Sequence, residues 1–227
     1  MGFGQAEFVK ELKDLGVNVS RETMARLEAY AALLVKWQAK INLVGPATLP
    51  DLWRRHFLDS AQLVPLLDPF HADGGDPGTG QPSLGKGVLA DLGSGAGFPG
   101  LVLAILTDWQ VHLIDSDQRK CAFLHQVALE AEILDRVTIH AHRFEAVTPF
   151  PAEIVTARAC APLADLLGYA APFIGESGRC LFLKGKGVEE ELTAAQAHWT
   201  MRLERRASLS EPTATILSID QLQRRKR

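Results

Sequence analysis

The chain has 227 residues, 47% of them hydrophobic and 22% charged, with a formal net charge of −3. That length holds one sizeable α/β domain with an appendage, or two small domains. No apolar run reaches the roughly 20 residues needed to span a bilayer, and the charges mixed into MGFGQAEFVKELKDLG argue against a signal peptide. Cys121, Cys160 and Cys180 are odd in number and form no C-x-x-C pair, which speaks for reduced thiols in a cytoplasmic protein and against a zinc site. The negative total hides local positive charge. Arg54 and Arg55, Lys184 and Lys186, and a C-terminal set (Arg202, Arg205, Arg206, Arg224, Arg225, Lys226, Arg227) could meet phosphates or simply form solvated faces and a frayed tail.

Residues 5–16 and 20–40 carry apolar residues at helical spacing. In the second run Leu27, Tyr30, Ala31, Leu34 and Trp37 recur every three or four positions. Ser20 is placed to cap that helix, with Glu22 at the positive end of its dipole. The pattern Thr48-x-x-Asp51, with Pro50 between, announces a third helix over about 50–67. The stretch HADGGDPGTGQPSLGKG (71–87) then reads as a flexible connection. The expected organisation is a helical extension at 1–70, the linker at 71–87 and the main domain at 88–227, forming one compact unit.

Beyond the linker the period changes. VLADLG precedes a helix near 98–106, VHLID a helix over 118–131, and VTIHAH follows. EIVTARA leads to a helix near 162–174 and RCLFLKG to one near 188–198. Such alternation predicts an α/β fold with a parallel sheet covered on both faces. The final runs RLERRASL and ATILSI are separated only by SEPT, too little for a crossover, so they should be antiparallel.

DLGSGAGFPG (91–100) directly follows the first of these strands. It lacks the lysine and hydroxyl of a Walker A loop, because Leu101 and Val102 follow Gly100. Gly95, Gly97 and Gly100 do satisfy the dinucleotide pattern, and Asp115 ends the next strand where a ribose contact is expected. Two features oppose a dinucleotide. A carboxylate at Asp91 would repel a diphosphate but attract the ammonium of a bound amino acid. The chain also leaves no room for a second nucleotide half. S-Adenosylmethionine has no phosphate, carries an ammonium and a sulfonium, and offers ribose hydroxyls to Asp115. The loop therefore reads as a methyl-donor loop. An NAD-dependent oxidoreductase and a non-catalytic RNA-binding module are the alternatives.

Several stretches carry a more specific signal: KINLV (40–44), RHFLDS (55–60), DLGSGAGFPG (91–100), LIDSDQRKCAFL (113–124), HRFEAV (142–147), TARACAPL (156–163) and LFLKGKG (181–187). Through them the chain, from about residue 30 to 190, resembles the bacterial small-subunit ribosomal RNA guanine-N7 methyltransferases, once called the glucose-inhibited division protein B family. The resemblance implies a class I methyltransferase fold, a Rossmann-like and mostly parallel seven-stranded sheet with a C-terminal antiparallel hairpin. It also implies S-adenosylmethionine as cofactor, and 16S ribosomal RNA in the small subunit or its precursor as partner. The implied reaction is methylation of N7 of guanine 527. At the donor, Gly93 and Phe98 would line the loop, Asp115 would take the ribose, Phe144 and Glu145 would flank the adenine, and Arg158 would sit at the donor pocket. Two positions depart from the family: Val44 often stands as Thr, and Glu211-Pro-Thr-Ala replaces an Arg-His pair before the last strand.

The place where amino-group methyltransferases show Asn/Asp-Pro-Pro-Tyr/Phe reads Arg158-Ala-Cys-Ala-Pro162. Cys160 could attack a pyrimidine ring ahead of transfer to carbon; the favoured reading is a small buried residue, since no second cysteine follows Lys184. Guanine N7 has an in-plane lone pair and no proton, so no general base is required and positioning is the enzyme's task. His56 and Asp59, three apart, share a helix face. They form either a stabilising or interdomain pair, or part of the site. The KGKG segment with Arg54 and Arg55 supplies the expected phosphate contacts.

Overall fold

The computed structural model describes residues 2–67 and 87–225, so the connection read at 71–87 lies, Gly87 apart, outside the described residues. Helix α1 (Gln5–Asp14) and helix α2 (Arg21–Gln38) occupy the two predicted runs. Ser20 caps α2 by accepting from the Thr23 N–H at 3.0 Å. Leu27, Tyr30, Ala31 and Leu34 form its buried stripe.

The third run differs from the single helix expected over 50–67. A 3₁₀ segment (Pro46–Asp51) leads into a π-helical turn (Trp53–Leu58), a short α3 (Asp59–Ala61) and a second 3₁₀ turn (Val64–Leu66). Pro50 lies inside the first segment, where its missing N–H breaks any regular ladder. Thr48 does not cap a helix. Its hydroxyl donates to the Gly45 carbonyl at 2.7 Å and meets His56 Nε2 at 2.7 Å.

Residues 88–224 build a seven-stranded sheet in the order β3-β2-β1-β4-β5-β7-β6. Its strands are β1 (Val88–Leu92), β2 (Gln110–Ile114), β3 (Val137–His140), β4 (Ala152–Arg158), β5 (Ile174–Lys184), β6 (Trp199–Ala207) and β7 (Thr215–Arg224). The pairs among β1 to β5 are parallel, whereas β7 runs antiparallel to both β5 and β6. This is the parallel sheet with an antiparallel final pair that the pattern predicted, in the Rossmann-like arrangement that the resemblance implied. Apolar burial on both faces suits β1, with only Val88 partly exposed.

Helix α4 (Gly100–Leu106) and helix α5 (Gln118–Glu130) share one core with α1, α2 and the 46–67 segment. Helix α6 (Leu163–Ala170) and helix α7 (Val188–Gln196) pack with Trp199 into a second core on the other face. Strand order reverses between β1 and β4, and ligands in open α/β sheets bind outside the carboxyl ends of strands at such a point.

Candidate active site

A cavity of about 1160 Å³ opens at that point. Its wall includes Gly93–Ala96 and Phe98 from the glycine loop, Asp115 after β2, Arg158 at the end of β4 and Cys160 just beyond it. Arg55, His56 and Asp59 close it from the π-helical turn and α3, and Ser210, Glu211, Thr213 and Ala214 from the β6–β7 loop. Four of the six predicted donor contacts, Gly93, Phe98, Asp115 and Arg158, therefore share one wall. Phe144 and Glu145 are not among the lining residues. Phe144 lies beside Gly93 and tilts against Tyr169 at 5.0 Å, whereas Glu145 is exposed.

The glycines are explained largely by the protein's own packing. Gly97 has φ +90°, and a Cβ there would lie 2.5 Å from Leu101 Cδ1 and 2.8 Å from the Tyr30 hydroxyl. A side chain is thus excluded twice, by conformation and by space. Tyr30, reaching over from α2, stacks on Phe98 at 5.1 Å and donates to the Ala96 carbonyl. The N-terminal helices therefore shape the loop directly.

Asp91 plays a different part from the one its position implied. It is fully buried and absent from the cavity wall, with Oδ2 accepting from the Gly100 N–H at 3.2 Å and Oδ1 from the Thr156 hydroxyl at 2.8 Å. Burial pushes its pKa up to about 6, against the hydrogen bonds that hold it down. The consequence for a dinucleotide stands on new ground. In dinucleotide folds the diphosphate sits at the helix N-terminus after the first strand; here a carboxylate already fills that place.

Asp115 is 9% exposed, and its two oxygens accept from the Gly95 and Asp117 N–H groups, both at 2.8 Å. Each oxygen keeps a lone pair for another donor. Arg158 donates through Nη1 to the Arg55 carbonyl at 3.1 Å and to Asp59 Oδ2 at 3.3 Å, and through Nη2 to His56 Nδ1 at 2.9 Å. Its guanidinium also lies 5.1 Å from the centre of the Phe98 ring. Because arginine has no acceptor, His56 Nδ1 must be the unprotonated nitrogen. Nε2–H then donates to Thr48, which hands its own proton to Gly45. Burial first, then Arg158 and Arg55, push the His56 pKa down to about 3.

The expected phosphate contacts divide. Lys184 is buried and spent inside the protein, 2.5 Å from Glu191 and 3.0 Å from the Ala161 carbonyl. Arg55 is paired with Glu211, one of the residues that depart from the family. Lys186 is exposed, and Lys120, which sequence reasoning left out, joins the cavity wall from the first turn of α5. Burial raises the Cys160 thiol above its ordinary value. No helix among the described residues is long and apolar enough to cross a membrane.

Residues 23–217 match the model of the family described as rRNA small subunit methyltransferase G (GidB). The chain belongs to this family. Ribosomal RNA small subunit methyltransferase G of Rhodospirillum rubrum is 53% identical over 92% of this chain and 95% of its own length. The protein of that description from Paramagnetospirillum magneticum is 52% identical over 91% of this chain and 92% of its own. Among solved structures, a ribosomal protein L11 methylase from Lactobacillus delbrueckii subsp. bulgaricus superposes with TM-score 0.52 at 17% identity, covering 71% of this chain and 77% of that one. That likeness concerns the fold alone. A member of the methyltransferase G family is an rRNA methyltransferase whose methyl donor is S-adenosylmethionine.

Proposed function

We propose that this methyltransferase transfers the donor's methyl group to N7 of guanine 527 in the 16S RNA of the small ribosomal subunit or its precursor. The observation that supports the choice of atom is that the titratable acceptors lining the cavity, among the described residues, are already engaged by protein donors. Among the described residues lining the cavity, the carboxylates Asp59, Asp115, Glu191 and Glu211 each accept hydrogen bonds or ion pairs from the protein. His56 is pinned as an acceptor to a cation. Guanine N7 suits such a site, because it has a lone pair to give and no proton to lose. Reaction then depends on holding the two partners in line, which well-oriented sites achieve with large effect.

The residues fit the donor. Asp115 has acceptor capacity for two ribose hydroxyls, Phe98 offers a ring, and Arg158 keeps Nε–H and one Nη2 hydrogen without a partner among the described residues. Phe144, beside Gly93, and its exposed neighbour Glu145 are assigned to the adenine side. Bound there, S-adenosylmethionine supplies a methyl group made electrophilic by its sulfonium. Arg54, Lys120 and Lys186 are the cations left for RNA phosphates.

Two measurements test this reading. Calorimetry with S-adenosylhomocysteine and NAD, side by side, should show binding of the first alone. Small ribosomal subunits from cells lacking the enzyme, incubated with labelled S-adenosylmethionine, should yield labelled 7-methylguanosine, and Cys160→Ser should retain most of that activity. Label in a pyrimidine, together with an inactive serine variant, would overturn both the base and the mechanism.

A further inference from the structure

Arg158 closes β4, yet every hydrogen bond its side chain donates among the described residues goes to residues 55–59 of the helical segment. Asp59 is the centre of this arrangement. Its Oδ2 holds Arg158, while its Oδ1 accepts from the Ser210 hydroxyl, from Gln62 Nε2 at 3.1 Å and from the Ser208 hydroxyl at 3.4 Å. Ser208 and Ser210 sit in the β6–β7 loop, whose Glu211 pairs with Arg55. One carboxylate, 9% exposed, thus spans two walls of the cavity.

Stability alone is a weak reason for such a device. Removing two charges from water costs about as much as their attraction returns, and an apolar pair of the same volume is often as good. What an ion pair with extra hydrogen bonds supplies is a fixed direction. Arg158 can rotate about four side-chain bonds; with three donors engaged and its plane against Phe98, it presents its remaining Nε–H and Nη2–H in one direction only. Partners that orient a functional group in this way act through that group.

We propose that Asp59 is a positioning residue for methyl transfer, locking the Arg158 guanidinium in the donor pocket and coupling it to the β6–β7 loop. The inference rests on the reading of Arg158 as a donor-pocket residue. Asp59→Asn keeps the shape and removes the charge. The dissociation constant for S-adenosylhomocysteine, measured by calorimetry on the full chain, should rise by about fivefold or more. KM for ribosomal RNA should change by less than about twofold, since the lost interaction acts on the donor side. In an Arg158→Ala background the same substitution should add nothing, because its effect runs through the arginine.

An Asp59→Asn effect of equal size without Arg158, or no effect in its presence, would overturn the proposal. A wild-type chain that fails to bind S-adenosylhomocysteine would overturn the donor-pocket reading instead. Should Asp59→Asn lose the native circular dichroism spectrum, Ser210→Ala carries the test. It removes one hydroxyl from Asp59 and should raise the same dissociation constant, again only while Arg158 is present.

Discussion

At the scale of single residues, the site is built from groups whose ordinary freedom has been removed. Asp115 holds the glycine loop through Gly95 while keeping acceptor capacity toward the cavity. Asp115→Ala should therefore weaken S-adenosylhomocysteine binding by roughly 1.5–3 kcal/mol, the worth of a charge-assisted hydrogen bond; unchanged affinity in calorimetry would remove it from the ribose. His56 carries a prediction about pH. Its pKa in the folded chain is about 3, below the ordinary 6.5, so the unfolded chain binds the proton more tightly. The stability His56 contributes is complete above pH 6.5 and is lost as pH falls from 6.5 toward 3, at about 1.4 kcal/mol per pH unit. Asp91 acts in the opposite sense, because its raised pKa of about 6 means that ionisation destabilises the fold. A His56→Gln variant retains Asp91, so the difference between the two proteins isolates the histidine. Between pH 7 and pH 5 the parent should lose about 2 kcal/mol more than the variant in urea unfolding; parallel losses would refute the assignment.

At the scale of elements, what could be read in advance followed from local periodicity and what could not depended on distant partners. Ser20 and the stripe Leu27, Tyr30, Ala31 and Leu34 define α2 within the segment itself, and the structure shows both. Because the Ser20 hydroxyl supplies an acceptor that nothing else replaces, Ser20→Ala should cost about 1 kcal/mol in denaturant unfolding. No change would mean that water serves the Thr23 N–H equally well. Strand alternation likewise gave the parallel sheet and its hairpin. The third helical run was misread because Pro50 and the π-helical turn alter a winding that apolar spacing alone reports as regular. Asp91 was misread for another reason. Its place at a strand end was legible, but the direction of its side chain is set by Thr156, 65 residues away, and by Gly100. Lys184 is the same case, claimed by Glu191 one turn into α7. For the site, Asp115 was picked out by its place at a strand end and Arg158 through the resemblance, and both line the cavity, while the partners His56 and Asp59 could be noticed as a pair but not given their contacts.

At the scale of the whole molecule, the helical segment and the sheet domain share a buried core. Phe8, Leu12, Leu27, Leu34 and Phe57 belong to the same buried core as Leu101, Val102, Phe123 and Leu124. Tyr30 stacks on Phe98 and contacts Phe123 at 6.2 Å, and Trp37 meets Phe123 at 5.7 Å. Cutting the chain between these parts would expose that apolar face to water, a loss of roughly 1.5–3 kcal/mol for each large side chain uncovered. Neither part is therefore expected to persist once the other has unfolded. Tryptophans report on both: Trp37 and Trp53 stand in the helical segment, Trp109 and Trp199 in the sheet domain. Replacing the first pair by Phe, and separately the second pair, leaves fluorescence that follows one part at a time. Both variants should show a single urea transition whose fluorescence and far-ultraviolet circular dichroism curves coincide, the mark of one cooperative unit. A helical segment that melted first, with the sheet domain's fluorescence unchanged, would show that the segment docks on the methyltransferase core as an independent body. Tyr30, and through it the glycine loop, would then be shaped by a contact that can open.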